Sequence, residues 1–399
     1  MEVKKYPIRI KTLSPIFIGS GNTFDALEYY NSPNPINVNK KPKKQLKRIN
    51  FDKFFLSLND DEKDRILSNV SDDSRYILEQ DFPKINSEFY RYTIINECPE
   101  SKDKFKSVIS EHIKTMDEVY IPGSSIKGAI KTALFYNIVP DRDIEKIQNI
   151  LSFNKYNKRY KINNFKYNNF IDYYFSTKKG NSAQKNIMRF LHVSDSSTEK
   201  YPRLYEILTI MAESKFNQPN GIKLYRNNKN PSKSYFETIA PKRGLDTELV
   251  INYDKDILEE LEFSNKQKQI LDIDFIKNCI YTFSKDLINY EIDFFNKYDQ
   301  YHKMNELNEI VNNLIDFYER ISKYNSKKNP LLRIGAGSGL MATSIAMKVK
   351  QYDRNNGTDI FDQIMGTFYK KYPYEFPKSR KILSNNENLP LSWVQLNFK

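Results

Sequence analysis

Residues 121–134, IPGSSIKGAIKTAL, predict a helix directly after a short strand that is predicted at residues 118–121. Ser124 or Ser125 is a natural N-cap, because a serine side chain accepts hydrogen bonds from the first free N–H groups of a helix. The apolar residues beyond it recur every three or four positions, which predicts one buried face. These residues are Ile126, Ala129, Ile130, Ala133 and Leu134.

The start of this predicted helix is also a candidate anion site. Free N–H groups and the positive end of the helix dipole attract negative charge. Lys127 and Lys131 lie four residues apart and therefore share one face, and Gly128 leaves room for a backbone to approach. Ser124, Ser125, Lys127 and Lys131 are accordingly candidate contacts to a phosphodiester backbone. An ordinary helix cap explains the same pattern, and this alternative stays open.

A second glycine-rich segment lies near the end of the chain, where residues 331–350 are LLRIGAGSGLMATSIAMKVK. Its loop from Gly335 to Gly339 presents successive N–H groups, with Arg333 just before it and Ser338 within it. Such a loop is suited to holding phosphate without reading bases. A tight turn alone explains the glycines as well.

Neither glycine cluster predicts a nucleotide-binding enzyme. A P-loop is excluded, because Ala129 and Ile130 follow Gly128 where a lysine and a hydroxyl residue are required. The later segment resembles the first motif of Rossmann methyltransferases, but Arg333 stands where those enzymes usually carry an acid. The stretch after Gly339 is also too short for the rest of a doubly wound sheet.

The composition favours nucleic acid as a partner. The chain has 63 basic and 50 acidic residues, a net charge of +13 and 14% aromatic residues. Lysine and arginine neutralise phosphate, and flat rings stack on bases. An A/T-rich gene encodes the same excess of Lys, Asn, Ile, Tyr and Phe, so composition alone leaves both explanations open.

The cysteine and histidine content excludes several site classes. Two cysteines, Cys98 and Cys279, cannot build a disulfide framework or a cysteine zinc site, and Cys279 falls within an apolar stripe that predicts a core residue. His112, His192 and His302 are far apart, which excludes an HExxH-type pair; His112 and His302 are predicted at the surface. No apolar stretch reaches the length of a membrane span. We therefore expect a soluble, cytoplasmic protein with no cofactor and no metal site.

The remaining pattern alternates strands and helices with large insertions, which predicts an α+β fold. Strands are predicted within the first twenty residues, up to the turn Gly19-Ser20-Gly21, and at residues 189–194, 235–240, 248–252 and 391–396. Helical patterns cover residues 50–92 and 256–324. Residues 40–48, KKPKKQLKR, are predicted to form a solvated, mobile loop.

Four segments together resemble the RAMP family, the RNA-binding subunits of CRISPR effector complexes. In chain order they are LSPIFIGSG (13–21), IPGSSIKGAIKTAL, RFLHVSDS (189–196) with ETIAPKRG (237–244), and IGAGSGL (334–340). They cover about a fifth of the chain but are spread over its whole length. The chain length, the long helical insertion and the closing PLSWVQL (390–396) most resemble the subunit that caps type III-A (Csm) complexes at the 3′ end of the crRNA.

This resemblance implies ferredoxin-like (RRM-like) cores with large helical insertions, in two domains at residues 1–240 and 241–399. It implies a non-catalytic subunit that binds crRNA and supports crRNA maturation and complex assembly in antiviral defence. Its partners would be the repeated Csm backbone RAMP subunit and other Csm subunits, with target RNA and host nucleases as further candidates. The candidate RNA contacts are Gly19, Ser20, Gly21, Ser124, Ser125, Lys127, Lys131, Lys242, Arg243, Arg333, Gly335, Gly337, Ser338 and Gly339.

The alternative is a CRISPR endoribonuclease. RAMP enzymes that process RNA use a histidine as general acid or base, and His192 is the histidine that lies within a motif. The backbone RAMP subunit instead uses an aspartate after its first strand, together with a metal, and Asp25 is the acid near that place. One carboxylate does not define a metal site, and the residues after Asp25 do not match the backbone subunit's loop.

Overall fold

The fold consists of two large β-sheets, three two-stranded sheets and the helices packed on them. The computed structural model describes residues 2–38, 41–72, 76–99, 104–154, 159–180, 184–215, 218–227, 230–299, 305–367 and 375–399. The strands are β1 (Glu2–Thr12), β2 (Gly19–Phe24), β3 (Tyr29–Val38), β4 (Lys41–Ile49), β5 (Tyr90–Asn96), β6 (Ile109–His112), β7 (Lys114–Thr115), β8 (Glu118–Val119), β9 (Leu151–Asn154), β10 (Arg159–Ile162), β11 (Leu191–Val193), β12 (Arg203–Lys215), β13 (Gln218–Leu224), β14 (Arg226–Asn227), β15 (Asn230–Pro231), β16 (Lys233–Thr238), β17 (Gly244–Tyr253), β18 (Leu331–Arg333), β19 (Ser379–Leu383) and β20 (Trp393–Phe398). The helices are α1 (Phe51–Ser57), α2 (Asp60–Asp72), α3 (Gly123–Ile138), α4 (Asn164–Phe175), α5 (Lys255–Glu260), α6 (Asn265–Lys268), α7 (Ile273–Asp299), α8 (Asn305–Tyr324), α9 (Gly339–Thr343), α10 (Ala346–Asn356) and α11 (Ile360–Gly366).

The first sheet has the strand order β11-β17-β1-β20-β18, and its neighbouring strands are antiparallel. Ile8 and Ile10 of β1 are buried while their neighbours face outward, so the predicted period-two strand is confirmed as far as Thr12. The prediction of a turn at Gly19-Ser20-Gly21 is wrong, because these residues begin strand β2. β20 lies between β1 and β18, and its Trp393 is fully buried beside the ring of Tyr318. The helices α3 and α7 pack over this sheet, and α8 packs on α7.

The second sheet follows the order β2-β6-β16-β12-β5-β4-β3, and β13 and β19 also pair with β12. It mixes antiparallel pairs with the parallel pairs β12–β5 and β16–β6. Together the sheets and helices confirm the predicted α+β class. Strands from both sides of residue 240 enter each sheet, and the division of the chain at that residue stays a prediction.

The basic segment after residue 40 is strand β4, so the prediction of a loop is wrong; Lys40 itself lies outside the described residues. Leu46 and Ile49 are buried in this strand. Arg48 is also buried, and two of its guanidinium nitrogens have partners there. Its Nη2 atom lies 2.6 Å from Oε1 of Glu28, and its Nη1 atom donates to two backbone carbonyls. A strand thus keeps most of the lysines near water while its remaining residues enter the core.

The predicted helical pattern at residues 256–324 is confirmed in the described part of that segment, which contains α5 to α8, and the pattern at residues 50–92 is confirmed in part. The latter segment forms α1 and α2 and ends in β5. Cys279 is a core residue as predicted, and burial raises the pKa of its thiol to about 12. None of the described helices is long and apolar enough to span a membrane.

His112 is fully buried, which corrects the prediction of a surface histidine; His302 lies outside the described residues. The N–H of Ile18 donates to Nδ1 of His112 at 3.2 Å, and Nε2 lies 3.0 Å from the carbonyl oxygen of Tyr120. These contacts fit a neutral ring with its proton on Nε2. Burial lowers the pKa of His112 to about 4.

Candidate nucleic-acid interface

Helix α3 begins at Gly123, with Pro122 as its N-cap, so Ser124 and Ser125 do not cap it. The N–H of Gly123 donates to Oδ1 of Asp195 at 2.8 Å. A Cβ atom at Gly123 would lie 2.0 Å from the carbonyl oxygen of Val193, so only glycine allows this approach. The start of the helix is therefore occupied by a carboxylate of the chain itself, which corrects the prediction of a free anion site there.

The exposed face of α3 carries Lys127 and Lys131, which are half-buried. Neither ammonium group pairs with a carboxylate among the residues that the structure describes. Burial lowers the pKa of Lys127, and the positive charge of Lys131 lowers it further. Gly128 is exposed, and a Cβ atom there would meet no atom within 4 Å. This face is open and positively charged, as a surface for phosphate would be.

The glycine loop leads from β18 into α9 with three left-handed backbone conformations, at φ +86° for Gly335, +85° for Gly337 and +76° for Gly339. The N–H of Ala336 donates to the carbonyl oxygen of Phe17 at 2.8 Å, and a Cβ atom at Gly335 would lie 2.4 Å from that oxygen. The loop is thus held against residues 13–21. The N–H groups of Gly337 and Gly339 have no partner among the described residues.

Arg333 and Ser338 are buried, which corrects the prediction that they contact phosphate. Nη1 of Arg333 lies 3.0 Å from Oε1 of Glu291, and its Nη2 atom donates to the carbonyl oxygen of Gly337. The hydroxyl of Ser338 donates to the carbonyl oxygen of Gly335 at 2.7 Å. Both side chains are satisfied inside the protein, where they fix the shape of the loop.

The remaining candidate contacts lie at the start of strand β2 and in the turn before β17. Gly19, Ser20 and Gly21 are exposed at the start of β2, and the hydroxyl of Ser20 donates to Glu111 at 3.0 Å. Lys242 is exposed with φ +63°, and its N–H donates to the carbonyl oxygen of Thr12. Arg243 is half-buried and lies 3.7 Å from a carboxylate oxygen of Glu199. The Lys242 side chain has no acidic partner among the residues that the structure describes, whereas Arg243 has Glu199 as its neighbour.

One cation beside the glycine loop was not predicted from the sequence. Lys381 of β19, together with Gly337 and Gly339, lines a cavity of about 230 Å³. Its Nζ atom lies 4.8 Å from the ring centre of Phe236, and burial lowers its pKa. The sequence KSRK at residues 378–381 is basic, but only the pairing of β19 with β12 brings it to the loop.

The two residues of the nuclease alternative lie in ordinary positions. Asp25 is exposed and forms a turn, because its Oδ1 atom accepts the N–H of Leu27 at 2.9 Å. His192 is exposed in β11 opposite Val250. Within the described ranges, no group of three or more His, Cys, Asp or Glu side chains is arranged to hold a metal ion.

Residues 9–276 match the model of the RAMP superfamily. A curated protein of Methanocaldococcus jannaschii, "CRISPR system Cms protein Csm5", is 27% identical over 150 residues; this alignment covers 36% of the present chain and only 33% of that protein.

Two solved structures have a similar fold. A chain of the "Csm-crRNA-target RNA ternary complex in type III-A CRISPR-Cas system", determined by cryo-EM, has a TM-score of 0.64 and 20% identity, covering 98% of this chain and 100% of that one. The crystal structure of "T.onnurineus Csm5" has a TM-score of 0.58 and 18% identity, covering 97% and 99%. At these identities the likeness concerns the fold.

Proposed function

Because this chain belongs to the RAMP superfamily, we propose that it is a non-catalytic, crRNA-binding subunit of a type III-A CRISPR effector complex. In this role it caps the 3′ end of the crRNA and supports crRNA maturation and complex assembly in antiviral defence. The observation that carries the proposal is the likeness over nearly the whole chain to a protein of a Csm-crRNA-target RNA complex.

The arrangement of the RAMP-like segments supports RNA binding. The start of α3 is bonded to Asp195, and the glycine loop is bonded to Phe17, so segments far apart in the sequence adjoin in the fold. Helix α3 also packs against α9, which follows the glycine loop. Lys127, Lys131 and the unpartnered N–H groups of the loop recognise phosphate but not base identity, and a guide of variable sequence requires such a surface.

Labelled single-stranded RNA tests the proposal when it is incubated with the purified chain, with and without Mg²⁺ or Mn²⁺. We expect binding without cleavage. Cleavage that is lost in Asp25→Asn or His192→Gln would instead establish the endoribonuclease. An absence of both binding and cleavage would contradict both functions.

The assembly role requires a test in the host. We expect the tagged chain to co-purify with crRNA and with the repeated backbone RAMP subunit and other Csm subunits. Target RNA and host nucleases are further partners that the same preparation would reveal. Recovery of the chain without other Csm subunits would contradict the assembly role.

A further inference from the structure

We propose that a groove between α3, α4 and the helices after the glycine loop binds one unpaired base of the RNA whose backbone lies on Lys127 and Lys131. This inference rests on the proposed function and adds a specific kind of contact to it. The occupant is a single unstacked base, with its sugar and phosphate at the mouth of the groove.

The groove is lined with aromatic rings and has a volume of about 320 Å³. The ring of Phe135 packs edge-to-face with that of Phe170, at 6.0 Å between centres, and lies 5.8 Å from that of Phe175. Phe135 and Phe170 are only half-buried, and Tyr167 is 45% exposed. Open ring surface in such a space favours stacking, because every base presents a flat π-face.

The charge around the groove suits a polyanion. Lys131 lines the groove, with its Nζ atom 5.1 Å from the ring centre of Phe175, and no Asp or Glu is among the described residues that line it. Lys127 lies one helical turn away and also lacks a carboxylate partner in the described part of the chain. A phosphate beside these two ammonium groups would relieve their mutual repulsion. A purely apolar occupant would leave that repulsion in place.

The serine and threonine hydroxyls of the groove do not select a particular base. The hydroxyls of Thr132, Thr343 and Ser344 all line it, and each donates to a carbonyl oxygen of the preceding helical turn. They therefore have no free proton to offer to a base edge. We infer that the groove binds by stacking and accepts any base, as a guide of variable sequence requires.

The position of the groove links the two candidate RNA-binding segments. One wall is formed by α3, which carries Lys131, and another by Leu340 and Thr343 of α9, directly after the glycine loop. An RNA backbone that passes from Lys131 to the loop therefore crosses the mouth of the groove. This continuity, together with the cationic rim, favours a base over a lipid or a protein side chain.

The test compares RNA with an oligonucleotide of equal length in which abasic ribose replaces each nucleoside. We expect the wild-type chain to bind the intact RNA about 5- to 100-fold more tightly than the abasic form. Tyr167→Ala removes an exposed ring, and Thr343→Phe fills the groove from an exposed position, so both should reduce that ratio. Phe165→Ala is the matched control, because Phe165 is 75% exposed on the same helix and lies outside the groove.

The outcomes separate this inference from the function on which it rests. Failure to bind either oligonucleotide would overturn the proposed function. Equal binding of both oligonucleotides, or an unchanged ratio in Tyr167→Ala and Thr343→Phe, would leave RNA binding intact but overturn the base site. Native mass spectrometry of the same samples would register a retained lipid or a second copy of the chain. The base site would also be overturned if intact and abasic RNA bound equally and Tyr167→Ala no longer retained the lipid or the second copy.

Discussion

Glu291 of α7 lies between two buried arginines, with Oε1 3.0 Å from Nη1 of Arg333 and Oε2 2.7 Å from Nε of Arg380. All three side chains are almost inaccessible to water. The carboxylate therefore connects the strand before the glycine loop to β19. This ion network stabilises the loop's shape from inside.

Glu291→Gln is expected to destabilise the chain, because it leaves two buried guanidinium groups without a compensating charge. Breaking a buried ion pair on one side costs about 3–5 kcal/mol. Asp293→Asn, an exposed change on the same helix, is the control and should leave the free energy of unfolding nearly unchanged. Chemical denaturation followed by circular dichroism measures both. Equal stabilities of the two variants would contradict a structural role for Glu291.

Replacement of both Lys127 and Lys131 by Ala is expected to weaken RNA binding and its dependence on salt. Loss of two phosphate contacts should reduce the slope of log K against log salt by about 1.4 for single-stranded RNA. The exposed pair Lys327 and Lys328, also changed to Ala, removes the same charge and should leave the slope unchanged. Titrations at several salt concentrations would show equal effects of both pairs if binding were diffuse and not located on α3.

Gly128→Ala is expected to stabilise the fold and weaken RNA binding. Glycine inside a helix costs about 0.5–1 kcal/mol relative to alanine, and here the added Cβ atom would meet no atom of the protein. The fold therefore gains from the change, whereas an RNA backbone lying on this face would be pushed away. Unfolding and RNA-binding measurements on one preparation check both effects. Stabilisation with unchanged affinity would show that RNA does not approach at Gly128.

Gly337→Val combined with Gly339→Val is expected to lower the melting temperature of the isolated chain. Both positions have φ near +80°, and a Cβ atom at Gly337 would lie 3.0 Å from Cβ of Leu391. Left-handed strain costs about 1–3 kcal/mol at each position. Lys381 lines the same cavity, and its replacement by Ala causes no such strain. We therefore expect Lys381→Ala to weaken RNA binding and to leave the melting temperature unchanged. A normal melt of the double valine variant would show that the backbone here is free to rearrange.

Stability is expected to fall as the pH decreases from about 6.5 to about 4, owing to His112. Its pKa is lower in the folded protein than in the unfolded chain, so the unfolded chain takes up the proton first, and the contribution present above pH 6.5 is lost on acidification. The maximal effect is about 3 kcal/mol. A proton on Nδ1 would also face the N–H of Ile18 that this atom accepts.

A control isolates His112 from the buried Glu237, which accepts the N–H of His112 and an ammonium proton of Lys114. Burial raises the pKa of Glu237 above its ordinary value of 4.5, so its contribution to stability has the opposite sign and is lost as the pH rises above that value. The free energy of unfolding of the wild type minus that of His112→Gln should vary with pH as expected for His112. The exposed change His192→Gln should leave the pH dependence of the wild type unaltered. Parallel pH profiles of wild type and His112→Gln would contradict this assignment.

The elements predicted from sequence were those whose signal is local. Ile8 and Ile10 alternate within one strand, and Cys279 belongs to an apolar stripe within one helix, so neighbouring residues sufficed. The residues that were predicted wrongly depend on partners far along the chain. Arg333 looked like a phosphate ligand because Glu291 is 42 residues away. His112 looked exposed because Ile18, whose N–H it accepts, is 94 residues away.

Contacts between segments distant in sequence also explain which features of the candidate RNA-binding site were not predicted. The lysines of α3 and the glycine loop were recognised as segments, but their relation to each other was not. Asp195 lies within the segment RFLHVSDS, yet nothing local shows that its carboxylate accepts the N–H of Gly123. Likewise, the ring-rich residues 164–175 gave no periodic signal of the groove that they form with α3 and α9.

The place of β20 between β1 and β18 has a consequence for how the molecule folds. β1 is translated long before β20, so one of its edges stays unpaired until residues 393–398 have been made. Closure of so long a loop is slow, and the open edge is a site for aggregation in the meantime. Because β20 carries Trp393, the single tryptophan of the chain, intrinsic fluorescence reports this closing step without an added label.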